Sequence, residues 1–269
     1  MGKVTVLTLP AMKRRKEKIT ALTAYDFAIA KIVDEAGIDV ILIGDSAANV
    51  IYGYATTLPI SMEVMLFHTR AVSGAVKRAL VVADMPFLSY QTSLTDAIKN
   101  AGLFLKEGAE AVKIEGGEPV LETVERLVSL GIPVMGHLGL TPQSINKFGG
   151  YQLRAKSVKE QKQLLAAAKK LEAAGCFSIV LEKIPLTLAK RITKALKIPT
   201  IGIGAGPFCD GQILVIHDLI GLFTEFKPKF VKRYAAVGKT IESAVKNYKK
   251  DVQTGKFPDL AHSFTGDEE

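Results

Sequence analysis

The strongest restriction on this chain is a repeat of form. Short aliphatic runs alternate with stretches that carry helix-capping chemistry, and most of the runs end on a polar residue. The clearest is Val40-Ile41-Leu42-Ile43, stopped by Gly44 and followed at once by Asp45 and Ser46. A strand with no polar side is a strand covered on both faces. An ionised carboxylate that close to a core is costly without a partner, so Asp45 sits either at a solvated strand end or on a cation.

The same form predicts strands over 19–25, 39–43, 79–83, 111–114, 132–136, 177–181 and 198–203. An eighth falls at 213–216, where a helical turn is the alternative. Between them lie helices with recognisable ends. Residues 9–18 have Pro10 in the first turn, Asp26 caps 27–36, Ser61 and Ser93 cap the next two, and Ser157 with Glu160 forms a capping box for a helix to Ala174. An amphipathic helix is expected from Pro228 to about Thr254. Two long segments, 44–60 and 138–156, read as ordered loops bordering a pocket. Strands alternating with helices require a parallel sheet with right-handed crossovers. About eight units in roughly 220 residues predict an α/β fold, a (β/α)8 TIM barrel with a short N-terminal helix and a C-terminal helical extension. No linker or shift in composition divides it, so residues 1–269 are expected to form a single barrel domain. An open doubly wound sheet is the alternative.

Composition narrows the classes. With 48% hydrophobic and 23% charged residues the chain should be globular and soluble. No apolar run approaches the roughly 18 residues of a membrane span. The basic run 13–16 follows a short apolar stretch instead of preceding one, which is not the order of a signal peptide. The two cysteines, Cys176 and Cys209, have no CxxC spacing, which fits a reducing cytoplasm. The net charge of +8 is spread through helices and tryptophan is absent, so solvated helix faces explain it better than nucleic acid does.

Function is carried by the polar residues at the strand ends. Asp45, Asp84, Glu115, His137 and Glu182 follow successive predicted strands. In a barrel these ends converge on one mouth, where active sites are built. Several carboxylates gathered there need a cation, and an oxygen donor set suits a hard ion, Mg²⁺ most simply. Asp45 and Asp84 are the candidate direct ligands, with Glu115 binding directly or through water. Lys113 shares a strand face with Glu115 and needs an anion, either a neighbouring acid or a substrate carboxylate. Glu182, farther round the barrel, is a candidate general base. His137 either bonds the substrate or is structural, and His68, His217 and His262 read as structural. Gly202-Ile203-Gly204-Ala205-Gly206 lacks the spacing of a dinucleotide fingerprint and reads as a tight turn, with an anion-binding nest as the alternative.

Taken together, Thr23-Ala-Tyr-Asp26, Gly44-Asp-Ser46, Thr57-Leu-Pro59, Ala83-Asp-Met-Pro-Phe87, Val112-Lys-Ile-Glu-Gly-Gly117, Gly136-His-Leu-Gly-Leu-Thr-Pro-Gln143, Phe148-Gly-Gly-Tyr151 and Gly202-Ile-Gly-Ala-Gly206 with Asp210-Gly-Gln212 resemble the ketopantoate (3-methyl-2-oxobutanoate) hydroxymethyltransferase family over nearly the whole chain. The resemblance implies a Mg²⁺-binding barrel that moves a hydroxymethyl group from 5,10-methylenetetrahydrofolate to 3-methyl-2-oxobutanoate through a Mg²⁺-stabilised enolate. The product is ketopantoate (2-dehydropantoate), for pantothenate and coenzyme A biosynthesis. By position, Asp45, Asp84 and Glu115 match metal ligands, and Asp45, Ser46, Asp84, Lys113 and His137 fall at the substrate site. Glu182 matches the proton acceptor. The resemblance further implies a cytoplasmic homodecamer with small-molecule partners and neither nucleic acid nor membrane. Two departures lie near this chemistry. Ala47-Ala48-Asn49 stands where the family commonly has Leu-Gly after Gly-Asp-Ser, and Lys183 stands where a cysteine often follows the base. Strand alternation predicts that Lys183 points away from Glu182. The rivals are a Mg²⁺-dependent lyase or phosphonomutase acting on a 2-oxo acid, and an anion- or RNA-binding barrel without catalysis.

Overall fold

In the computed structural model, which describes residues 2–225, 228–264 and 266, the eight strands close into a parallel barrel in sequence order. The strands are β1 (Ile19–Thr23), β2 (Val40–Ile43), β3 (Leu80–Asp84), β4 (Ala111–Glu115), β5 (Val134–Gly139), β6 (Ser178–Glu182), β7 (Thr200–Ile203) and β8 (Gly211–Leu214). The helices, in chain order, are α1 (Thr8–Arg15), α2 (Phe27–Glu35), α3 (Ala47–Val50), α4 (Met62–Ala75), α5 (Leu94–Lys106), α6 (Leu121–Ser129), α7 (Ile145–Phe148), α8 (Val158–Ala173), α9 (Leu186–Ala195), α10 (Ile216–Leu219) and α11 (Val237–Gln253). The open-sheet alternative is excluded by closure, with Ile19 paired to Gly211 and Leu22 to Leu214. Gly211 makes that closure possible. A Cβ there would lie 2.5 Å from the Ile19 carbonyl oxygen and 2.7 Å from Ile201 Cδ1.

Residues two apart share a strand face, and in a closed barrel one face is the interior. Val40, Leu42, Leu80, Val82, Ala111, Met135, Val180, Ile201 and Ile213 form one buried cluster with Leu9 and Met12 of α1. That helix lies at the N-terminal end of the barrel, where Lys13 donates to the Thr193 and Ile198 carbonyls and pairs with Asp210 at 2.9 Å. One step further along the same faces the residues become Asp84, Lys113, His137 and Glu182. The interior therefore changes from apolar to charged along the barrel axis.

The caps form where expected. Asp26, Ser61, Ser93 and Ser157 accept from the N–H groups of Ile29, Val64, Asp96 and Glu160. The box at Ser157 takes a different form, because the Glu160 carboxylate pairs with Arg154. Several boundaries also move. The fifth strand starts at Val134, since Pro133 has no N–H to give a ladder, and it runs on through His137 to Gly139. The eighth strand is 211–214 instead of 213–216, and Ile216 opens a helical turn. Segment 44–60 contains α3, and segment 138–156 contains a 3₁₀ turn at Pro142–Ser144 followed by α7. The last long helix begins at Val237, with 228–236 non-helical. Contacts divide the chain into two compact units, Met1–Ile216 and His217–Glu269. The barrel is the first, and α11 belongs to the second. No helix among the described residues is long and apolar enough to cross a membrane.

Asp34, near the end of α2, ties that helix to the approach of β3. Its carboxylate accepts the N–H groups of Lys77 (2.8 Å), Arg78 (3.1 Å) and Ala79 (2.7 Å). Burial raises its pKa, but the three N–H groups together more than reverse this and hold it below the ordinary value. Asp34→Ala is expected to lower stability by about 2 kcal/mol in urea unfolding, because three N–H donors, that of Ala79 buried, lose their acceptor. A depressed folded pKa contributes stability fully above the unfolded value and loses it as pH falls through the folded one. The gap between wild type and variant should therefore narrow below about pH 4; a constant gap would contradict this role.

Candidate active site

Charged side chains crowd the C-terminal mouth of the barrel. Asp84 and Glu115 end β3 and β4, Glu182 ends β6, His137 lies in β5 opposite Glu115, and Asp45 follows β2. Ligating oxygens of Asp45, Asp84 and Glu115 all lie within 4.8 Å of one another, and the three residues are buried. The Lys113 amine is 2.8 Å from Asp84 Oδ1 and 3.4 Å from Glu115 Oε1. Of the two anions open to Lys113, the neighbouring acid is therefore present. Burial works against its charge, but Asp84, Glu115 and Asp45 outweigh burial and raise its pKa. An amine held so firmly protonated is not a Schiff-base nucleophile.

His137 stands between two acids. Nδ1 is 3.2 Å from Glu115 Oε1, and Nε2 is 3.3 Å from Glu182 Oε2. Burial and then the Lys113 ammonium oppose protonation, yet the two carboxylates raise its pKa to about 9. The Nε2 contact with Glu182 is not a formed hydrogen bond. Lys113 Nζ also lies 3.2 Å from Nδ1, so its neighbours are Asp84, Glu115 and His137.

The acids respond to this field unequally. Burial, then the charges of Asp84 and Glu115, push the Asp45 carboxyl well above its usual value. Burial also raises Asp84, against the pull of Lys113. Glu115 is held low despite its burial, because Lys113 and His137 both face it. Three clustered carboxylates meet one ammonium, so acidic groups are in excess. An all-oxygen donor set with that excess fits a hard divalent cation.

Ser46 sits beside this cluster with its Oγ 2.8 Å from the Tyr25 hydroxyl. Gly44 leaves room for it, since a Cβ there would meet Ser46 Oγ at 2.7 Å. Lys183 does not follow strand alternation. Its backbone is left-handed (φ 48°), because β6 has ended, and its amine donates to the Tyr151 carbonyl. Tyr151, from the second long segment, donates to the Ala55 carbonyl of the first at 3.4 Å. Burial, then Asp45, Glu182 and Glu115, raise its pKa, which places it within reach of the acids' field. Gly204 (φ 63°) and Gly206 (φ 80°) form the turn between β7 and β8. A Cβ at Gly206 would lie 2.6 Å from that of Leu186. His68 bonds Tyr25 O at 2.6 Å and the Tyr52 hydroxyl at 3.0 Å. His262 pairs with Asp259, and His217 is buried in α10.

Three contributors were absent from the set read from the sequence. Gln143 donates from its backbone N–H to Glu115 Oε2 and from its side chain to Asp45 Oδ2, both at 3.0 Å. Tyr90 accepts from Glu115 N–H and donates to Gln143 Oε1 at 2.7 Å. Tyr151 is the third. Gln143 and Tyr151 lie in recognisable motifs, so their positions carried a signal; Tyr90 carried none.

The profile described as ketopantoate hydroxymethyltransferase matches residues 3–260. The 3-methyl-2-oxobutanoate hydroxymethyltransferase of Caldicellulosiruptor bescii is 54% identical over 264 residues, covering 98% of this chain and 100% of that protein. The protein of the same name from Geobacter metallireducens is 55% identical over 264 residues, covering 98% and 99%. Among solved structures, a phosphonopyruvate hydrolase complexed with oxalate and Mg²⁺ superposes with a TM-score of 0.64 at 14% identity, over 96% of this chain and 93% of that one. A 2,3-dimethylmalate lyase of the PEP mutase/isocitrate lyase superfamily gives 0.61 at 16% identity, over 97% and 91%. The two structural likenesses concern the barrel alone, whereas the profile and the full-length relatives concern the sequence that builds its acidic mouth, and by them the chain belongs to the ketopantoate hydroxymethyltransferase family.

Proposed function

We propose that this transferase moves a hydroxymethyl group from 5,10-methylenetetrahydrofolate to 3-methyl-2-oxobutanoate, giving 2-dehydropantoate for pantothenate and coenzyme A biosynthesis. The observation that carries the proposal is the Asp45–Asp84–Glu115 cluster with Lys113 against it and Glu182 across His137. Asp45, Asp84 and Glu115 would hold Mg²⁺, whose charge would polarise the 2-oxo group and make the C3 proton more acidic.

The chain's own groups do the rest. Lys113, against Asp84, and Ser46, next to Asp45 in the chain, would together fix the substrate carboxylate. Glu182 would take the C3 proton. Water opens the donor's methylene bridge, its hydrogens passing to the two nitrogens of tetrahydrofolate and its oxygen to the one-carbon unit at the formaldehyde level; C3 of the enolate then bonds to that carbon, and the new alkoxide takes the proton that Glu182 removed. His137 stands between Glu115 and Glu182, and its Nε2, which has no hydrogen-bond partner, would be the nitrogen to reach the substrate. Tyr151 and Lys183 tie the two long segments beside the mouth and would help exclude water.

Cytoplasmic residence and a homodecamer complete the proposal. Two free, buried cysteines support the first. The exposed stripe Ile241, Val245, Tyr248 and Val252 on α11 supports a homo-oligomer that covers it.

The direct assay is release of tetrahydrofolate with this oxo acid, with and without Mg²⁺. Release in both substrates' presence and its loss on chelation are expected; a flat trace would refute the reaction. Glu182→Gln should slow exchange of the C3 proton into deuterated water by about 10²–10⁴-fold while Mg²⁺-dependent substrate binding persists. Exchange at the wild-type rate would remove Glu182 as the base. Asp84→Asn should weaken Mg²⁺ by at least about tenfold in calorimetry; an unchanged affinity would remove it from the ligands.

A further inference from the structure

Gln143 is a buried amide whose every polar atom is engaged. Its Nε2 donates to Asp45 Oδ2 (3.0 Å) and to the Met85 carbonyl (2.9 Å). Its Oε1 accepts from the Tyr90 hydroxyl (2.7 Å) and from Gln91 Nε2 (3.3 Å). Its backbone N–H donates to Glu115 Oε2 (3.0 Å). The side chain cannot be turned over, because its oxygen would then face a carboxylate and a carbonyl. Nor can an acid replace it without setting one carboxylate against another.

These contacts cross the mouth. Asp45 follows β2, Met85 follows β3 and Glu115 ends β4, while Gln143 reaches them from the turn after β5. That turn is stiff, with Pro142 in its first position and Ser144 N–H bonded to the Thr141 carbonyl at 2.8 Å. Its side chain occupies Asp45 Oδ2 and its backbone N–H occupies Glu115 Oε2; this leaves Asp45 Oδ1 on the side away from Gln143, whereas Glu115 Oε1 already faces Lys113 and His137. Donors that fix the outer oxygen of a ligand determine which oxygen it presents, and their loss typically weakens a metal by about 10–100-fold.

We propose that Gln143 is a positioning residue for the divalent cation, selecting through its amide which oxygen of Asp45 is presented. The proposal rests on the placement of Mg²⁺ at Asp45, Asp84 and Glu115. Two variants isolate the amide, since both keep the backbone N–H on Glu115. Gln143→Met preserves volume and removes both polar atoms, and Gln143→Asn retains an amide one methylene too short to reach Asp45.

Calorimetry with Mg²⁺ alone, paired with urea unfolding of the metal-free proteins, tests the idea. Both variants should unfold cooperatively yet bind Mg²⁺ about 10–100-fold more weakly than wild type. With Mn²⁺ as a probe, their electron paramagnetic resonance spectra should differ from the wild-type spectrum at saturation, a change that filler of the right volume would not produce. If wild type binds no divalent cation, the metal placement itself fails. If wild type binds and either folded variant binds with the same affinity and spectrum, the role of Gln143 is overturned and the metal placement stands. Loss of fold in both variants would overturn it as well, since Gln143 would then serve stability.

Discussion

Everything at the mouth depends on the closure of the sheet between β1 and β8. An open sheet of the same strands would spread Asp45, Asp84, Glu115, His137 and Glu182 along an edge, too far apart for their charges to act on one another. Closure brings them to a common rim, and the first consequence is electrostatic. Carboxylates that could each have been solvated are instead buried together. The strands that close the barrel, β1 and β8, meet through a backbone contact with no tolerance for a side chain, at Gly211 against Ile19. The shape of the rim is therefore set by the backbone before any functional side chain is placed.

The barrel interior shows how this cost is contained. Along each inward face a step of two residues separates the apolar core from the charged rim: Val82 from Asp84, Ala111 from Lys113, Met135 from His137, Val180 from Glu182. The core below supplies the hydrophobic stability, and the rim stores unfavourable charge against it. Lys113 and His137 offset part of the excess. What they leave is a cluster of carboxylate oxygens, the donor type that hard cations take.

The architecture was largely readable because it rests on local chemistry. A run such as Val40–Ile43 has few alternatives to a buried strand, and Asp26, Ser61, Ser93 and Ser157 announce helix starts through side-chain oxygens. The polar residues at the strand ends were readable for the same reason, since alternation places Lys113 and Glu115 on one face. What was not readable depended on contacts distant in sequence. Asp34 matters only because residues 77–79 pass beside it. Gln143 sits in a legible motif, but its partners are 58 and 98 residues away. Lys183 lies one residue beyond the end of β6, so alternation does not set the direction of its side chain. The last long helix starts at Val237 because 228–236 takes a non-helical path that its composition does not forbid.

Gly139 bears on how such a site can change over evolutionary time. Its φ is 101°, and a Cβ there would lie 2.2 Å from the Glu182 carbonyl oxygen. Any other residue would strain its own strand and push β6 outward, moving the proposed base relative to His137. The spacing between those two groups thus has no graded series of single substitutions at this position. It behaves as an inherited constant, and lineages that adjust the chemistry would have to do so at adaptable neighbours, such as Lys183 and the Tyr151 loop it holds.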